Sequence, residues 1–139
     1  MILLDTNVVS ELMRASPDAR VLRWLDAQAP EEIGVAAVTV AELLYGIARL
    51  PQGRRRQQLE AAIAETLEED MMVLPFDDAA AVDYAAIVAM QELRGRRIAM
   101  ADAMIASTAL SAGSALATRN VREFAGLGVD VIDPWGQAG

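Results

Sequence analysis

Four residues of this chain carry side-chain oxygens where a layered α/β fold would do its chemistry: Asp5, Glu42, Asp102 and Asn120. Asp5 ends the apolar run Ile2-Leu3-Leu4, which reads as a short strand buried on both faces. Glu42 follows a second apolar run, Asp102 falls in the first turn of a late helix, and Asn120 lies two residues past Thr118, where a fourth strand ends. Each acid has a plain explanation when taken singly. Asp5 caps the next helix, Glu42 closes a Thr39-Val40-Ala41-Glu42 capping box, and Asp102 suits the positive end of its helix. None of these explains why all three acids point to one edge. Two carboxylates 4 Å apart repel by about 1 kcal/mol in water, and by more where solvent is excluded. Either one acid takes up a proton or a divalent cation lies among them. Oxygen-only ligands favour a hard ion, Mg²⁺ or Mn²⁺, which activates water and steadies a phosphoryl group.

The elements that hold these residues follow from patterning. Strands are expected at Ile2–Leu4, Ile33–Val38, Met72–Phe76, Ser114–Thr118 and Val129–Ile132. Between them, helices are expected from Thr6 to Met13, from Ser16 until Pro30, from Thr39 through Ile47, and from Arg54 to about Asp70. Two more run from Asp77-Asp78 to Gly95, with Val82, Ala86, Ala89 and Leu93 as the inner stripe, and from Ala101 to Ala112, closed by Gly113. Strands alternating with helices imply a single α/β/α sandwich around a mostly parallel sheet of four to five strands. Residues 1–134 form one domain in this reading, with 135–139 a short tail. In a parallel sheet all carboxyl ends share one edge, so Asp5, Glu42, Asp102 and Asn120 converge there.

Composition removes other chemistries. The chain has 139 residues, no cysteine and no histidine, so neither a disulfide framework nor a Ser-His-Asp site is available. Its 12 basic residues are all arginine, which excludes a P-loop lysine and a Schiff base. A net charge of −8 opposes nucleic-acid binding unless arginines are concentrated locally. They are grouped, as Arg54-Arg55-Arg56, Arg94/Arg96/Arg97 and Arg119/Arg122. The first group reads as a solvated helix start; Arg119 and Arg122 flank the acidic residues and suit substrate contact. The aromatics are too scattered for a base-stacking platform and read mostly as core, as does Met71-Met72. With no basic leader and no apolar run of membrane length, a cytoplasmic location is expected.

The pieces Leu4-Asp5-Thr6-Asn7, Thr39-Val40-Ala41-Glu42-Leu43, Ala101-Asp102-Ala103-Met104-Ile105-Ala106, Thr118-Arg119-Asn120 and Asp133-Pro134-Trp135 occur in an order and spacing that resemble the PIN-domain family. Within it, the chain is similar to VapC-type toxins of the FitB-like kind. The resemblance implies a Mg²⁺-dependent endoribonuclease, the toxic half of a toxin–antitoxin pair. It implies metal ligation by Asp5 and Asp102, with Glu42 and residue 120 as the other acidic positions. Thr6, Asn7, Thr118 and Glu123 are then the supporting residues. Many members have aspartate where this chain has Asn120, and asparagine cannot act as a base. Glu123, three residues on, is the candidate for the missing charge.

The resemblance also implies a homodimer and a VapB/FitA-like antitoxin with a DNA-binding domain. Leu43, Leu44 and Ile47 beside Leu12 and Met13 are expected to offer apolar surface for such contacts. The Asn120 departure motivates an alternative, a catalytically weak interaction module that binds the antitoxin and co-represses its operon. A Mg²⁺ phosphatase fits less well, because Asn7 stands where a second aspartate is wanted and no lysine exists.

Overall fold

The computed structural model describes residues 1–67 and 71–136. The expected extension of the fourth helix to Asp70 and the end of the tail lie outside them. The central strand is β1 (Ile2–Leu4), three apolar residues with neighbours on both sides. The other strands are β2 (Ile33–Ala36), β3 (Met72–Leu74), β4 (Ala115–Ala117) and β5 (Val131–Ile132), and every pairing is parallel. Their order is β3-β2-β1-β4-β5. The chain thus builds outward from β1 in one direction and then returns to its other side. The crevice where such a sheet reverses direction lies beyond the carboxyl ends of β1 and β4.

Seven helices cover the sheet among the described residues: α1 (Thr6–Leu12), α2 (Ala19–Asp26), α3 (Ala37–Ala48), α4 (Arg54–Thr66), α5 (Asp78–Leu93), α6 (Met100–Ser111) and α7 (Val121–Phe124). Strand alternation splits the interior into two cores. Leu4, Val35 and Ala117 pack with Val8, Val21 and Trp24 on one face. Leu3, Ala36 and Leu116 pack with Ile87, Ile105 and Phe124 on the other. The expected α/β/α sandwich is the observed architecture. No described helix is long and apolar enough to cross a membrane.

Several boundaries differ from expectation, each for a physical reason. β2 stops at Ala36 because its ladder partners stop: Val35 pairs with Leu4 and Ala36 with Leu74. The following backbone groups turn into α3, which starts at Ala37 with no side-chain cap. The Thr39–Glu42 capping box therefore does not exist; Thr39 is buried inside the helix instead. α2 starts at Ala19, capped by Asp18 rather than Ser16, and it ends at Asp26, before Pro30 opens a short 3₁₀ turn.

The inner face of α5 is the reverse of the one expected. Ala80, Ile87 and Gln91 are buried, whereas Val82 and Leu93 are 71% and 90% exposed. Met72, on edge strand β3, is also exposed rather than core. Trp135 is buried against the β1 core. Of the early-helix apolar residues, Leu43 and Ile47 turn into the core and Leu44 stays exposed, with Tyr45 beside it.

Candidate active-site cleft

The β-ladder register brings the first acid to its partners. Leu4 pairs with Ala117, so the next residues on each strand, Asp5 and Thr118, are side by side. The Asp5 N–H continues the ladder by donating to the Ala117 carbonyl at 2.8 Å. The Thr118 hydroxyl donates to Asp5 Oδ2 at 2.7 Å, the Asn7 amide donates to the same oxygen at 3.3 Å, and the Thr6 N–H donates to Oδ1 at 2.8 Å. Asn7 is fixed in turn, its Oδ1 accepting from the Arg119 N–H. Asp5 is 3% exposed. Burial pushes its pKa above the usual carboxylate value; the donors from Thr118 and Thr6 oppose that, and the charges of Glu42 and Glu123 add to it.

Glu42 arrives from α3, one helical turn past the buried Thr39. The Thr6 hydroxyl donates to its Oε1 at 2.7 Å, and the Thr39 hydroxyl lies 3.4 Å from Thr6 Oγ1. Asp102 sits in the first turn of α6, half-buried. Its pKa is pushed up to about 6, chiefly by burial, then by the charges of Asp5, Glu123 and Glu42 and by a hydrogen bond with Glu123. Asn120 precedes α7 without capping it, and its N–H donates to Thr118 Oγ1 at 3.0 Å. Asp5, Thr6, Asn7, Glu42, Asp102 and Asn120 line one cleft of about 530 Å³. Residues spread from position 5 to 120 thus meet where the strand order reverses.

Among the described residues, no three acidic side chains stand close enough to enclose an ion by themselves. Two of them do act on one another: of the charges around Asp102, that of Asp5 weighs most. Mg²⁺ takes only one or two carboxylates and keeps several waters, so an oxygen-lined cleft with one such pair fits it. Two acids with raised pKa values, one buried and one half-buried, also fit, since an ion would relieve their repulsion.

A family model described as the PIN domain matches residues 2–128. The chain belongs to the PIN-domain family. It is 45% identical to the VapC ribonuclease Y4jK of Sinorhizobium fredii, an alignment covering 97% of this chain and 98% of that protein. It is 40% identical to the toxin FitB of Neisseria gonorrhoeae over 97% of this chain and 99% of FitB. Among solved structures it is similar to FitAB bound to an IR36 DNA fragment, with a TM-score of 0.84 and 39% identity over 97% of this chain and 96% of that one.

This PIN domain does not draw all the singled-out residues into its cleft. Glu123 is exposed on α7 yet reaches Asp102. Arg119 is stacked over the Trp135 ring, 5.0 Å from its centroid, and neither it nor Arg122 lines the cleft. Arg54 and Arg55 are exposed, as a solvated helix start should be, whereas Arg56 is half-buried and holds Glu60 at 2.9 Å and the carbonyls of Ala48 and Leu50. Three cleft residues carried no sequence expectation, Ser10, Glu11 and Arg14. The three-residue spacing of Glu11 and Arg14 at the end of α1 is the signal that an ion pair faces one way.

Proposed function

We propose that this PIN domain is a Mg²⁺-dependent endoribonuclease and the toxin of a toxin–antitoxin pair. The observation that carries the reading is the electrostatic pairing of Asp5 and Asp102 across one cleft at the switch point of the sheet. The names of its relatives, a VapC ribonuclease and a toxin, support the same reading. Asp5 and Asp102 hold the ion. When bound, a divalent cation offsets phosphate charge and makes water a better nucleophile. Glu42, whose Oε1 is held by Thr6, keeps Oε2 to take the proton of the attacking water. Water adds to phosphorus in line with the departing ribose oxygen, so the P–O ester bond breaks as the new one forms. Asn120 orients groups through its amide but takes no proton, and Glu123 contributes the charge that an aspartate there would have supplied.

The partner in this reading is an antitoxin with a DNA-binding domain, as the FitAB complex on DNA suggests for this chain. A groove of about 1060 Å³ between α1, α3 and α4, floored by Met13, Leu43, Ile47 and Leu59, opens beside the cleft and suits an amphipathic helix. Self-association is proposed through exposed apolar side chains such as Val82 and Leu93 on α5. The test is cleavage of RNA by purified protein with Mg²⁺. Loss in excess EDTA, with recovery on added Mg²⁺, is expected; equal cleavage in EDTA overturns the metal mechanism. Absence of cleavage with tight antitoxin binding favours the interaction-module alternative.

A further inference from the structure

The arginine that lines the carboxylate cleft is Arg14, and it also lines the neighbouring groove. Its side chain is 65% exposed, yet it is held from beneath. Nη1 donates to both oxygens of Glu11, at 3.2 and 3.1 Å, and the Glu11 side chain is only 7% exposed. Glu11 is anchored in turn by the Asp18 N–H, which donates to Oε2 at 2.9 Å. Among the described residues, no protein group accepts from Nε or Nη2 of Arg14. One edge of the guanidinium is thus pinned to a buried acid, and the other is left for something outside the fold.

We propose that Arg14 grips a phosphate of the RNA strand beside the scissile bond, and that Glu11 is the positioning residue that holds it there. The inference deepens the ribonuclease reading and rests on it. A strand entering the cleft brings one negative charge per nucleotide against Asp5, Glu42 and Asp102. One divalent ion offsets two charges of this set. Further attraction has to come from the protein at the point where the strand leaves the cleft, and Arg14 stands where cleft and groove meet. A planar guanidinium with a free edge matches phosphate oxygens two at a time, and one pre-set by a buried partner loses little freedom on binding. Arg119 lacks that placement, being stacked on Trp135.

The test uses a fluorescently labelled single-stranded oligoribonucleotide. Its binding is measured in an Asp5→Asn background, which does not cut, and its cleavage in the otherwise native chain. Arg14→Ala is expected to weaken binding about tenfold, a loss typical of one charge-assisted phosphate contact. It should raise KM while kcat changes far less, and lower the slope of log affinity against log salt by about 0.7. Arg14→Lys should recover part of the affinity. Glu11→Gln, which still accepts from Asp18, should give a smaller loss with an unchanged salt slope. Native affinity and salt slope in Arg14→Ala overturn the proposal; so does a variant that binds RNA normally but loses the antitoxin, which assigns Arg14 to the protein partner. A native chain that binds RNA through Arg14 without cutting it sinks the ribonuclease reading and leaves the contact standing.

Discussion

Asp5 and Asp102 are the same side chain on opposite walls of one cleft, and the fold treats them differently. Asp5 is almost fully buried, and three donors from Thr6, Asn7 and Thr118 surround its oxygens. Asp102 is half-buried, and its neighbours are acids, with Glu123 in contact. The β1 wall is therefore built in advance, each oxygen aimed by a hydrogen bond. The α6 wall is built to be completed, because among the described residues burial and the neighbouring acids both disfavour the charge of Asp102. An ion shared by the two would be gripped by the first and would satisfy the second.

Removing either acid should abolish cleavage, which is the largest expected effect and the one the walls share. Asp5→Asn and Asp102→Asn should each cost several kcal/mol of transition-state stabilisation, about a thousandfold in rate. Single-turnover cleavage at saturating Mg²⁺ measures this, and a variant within tenfold of native would remove that acid from the site.

Stability should separate the walls. In metal-free protein, the raised pKa of Asp102 makes its contribution favourable below the ordinary value of 3.8, and that contribution is lost as pH rises through about 6. Asp102→Asn should therefore unfold at a higher temperature than native protein in EDTA at pH 7, with the gap shrinking towards pH 4. Saturating Mg²⁺ should close the gap from the other side by stabilising only the native chain. A pH-independent gap in thermal melts would mean that neither burial nor the neighbouring acids raise the Asp102 pKa.

The smallest effect concerns how Asp5 is held. Thr118→Val removes the shortest donor to Asp5 and leaves a buried carboxylate short of a partner, at a cost of about 1–3 kcal/mol. Urea unfolding should record this loss, with cleavage falling about tenfold as Asp5 loses its aim. The same change at full stability would show the clamp to be incidental.

Asp5 and Asp102 were legible in sequence for a topological reason. A buried apolar triplet that stops on an acid, in a chain alternating strands and helices, leaves few places for that acid to go. Glu42 was located correctly through a wrong local argument: the helix begins at Ala37, and Glu42 reaches the cleft one turn in, aimed by Thr6. The inward face of α5 was not legible. Eight of its sixteen residues are alanine or valine, too many for a 3.6-residue period to choose a side, and packing against α6 decided it. Glu11 and Arg14 escaped notice because a charged pair at a helix end ordinarily faces solvent. Only the loop that folds back through Asp18 buries Glu11 and turns Arg14 into the cleft.

The central claim is that one divalent ion is shared by Asp5 and Asp102. Titration of Mn²⁺ into the native protein, Asp5→Asn and Asp102→Asn, followed by the loss of the free-ion electron paramagnetic resonance signal, tests it most directly. A tight site is expected in the native chain, severely weakened by both substitutions. A site of native affinity in either variant would contradict it.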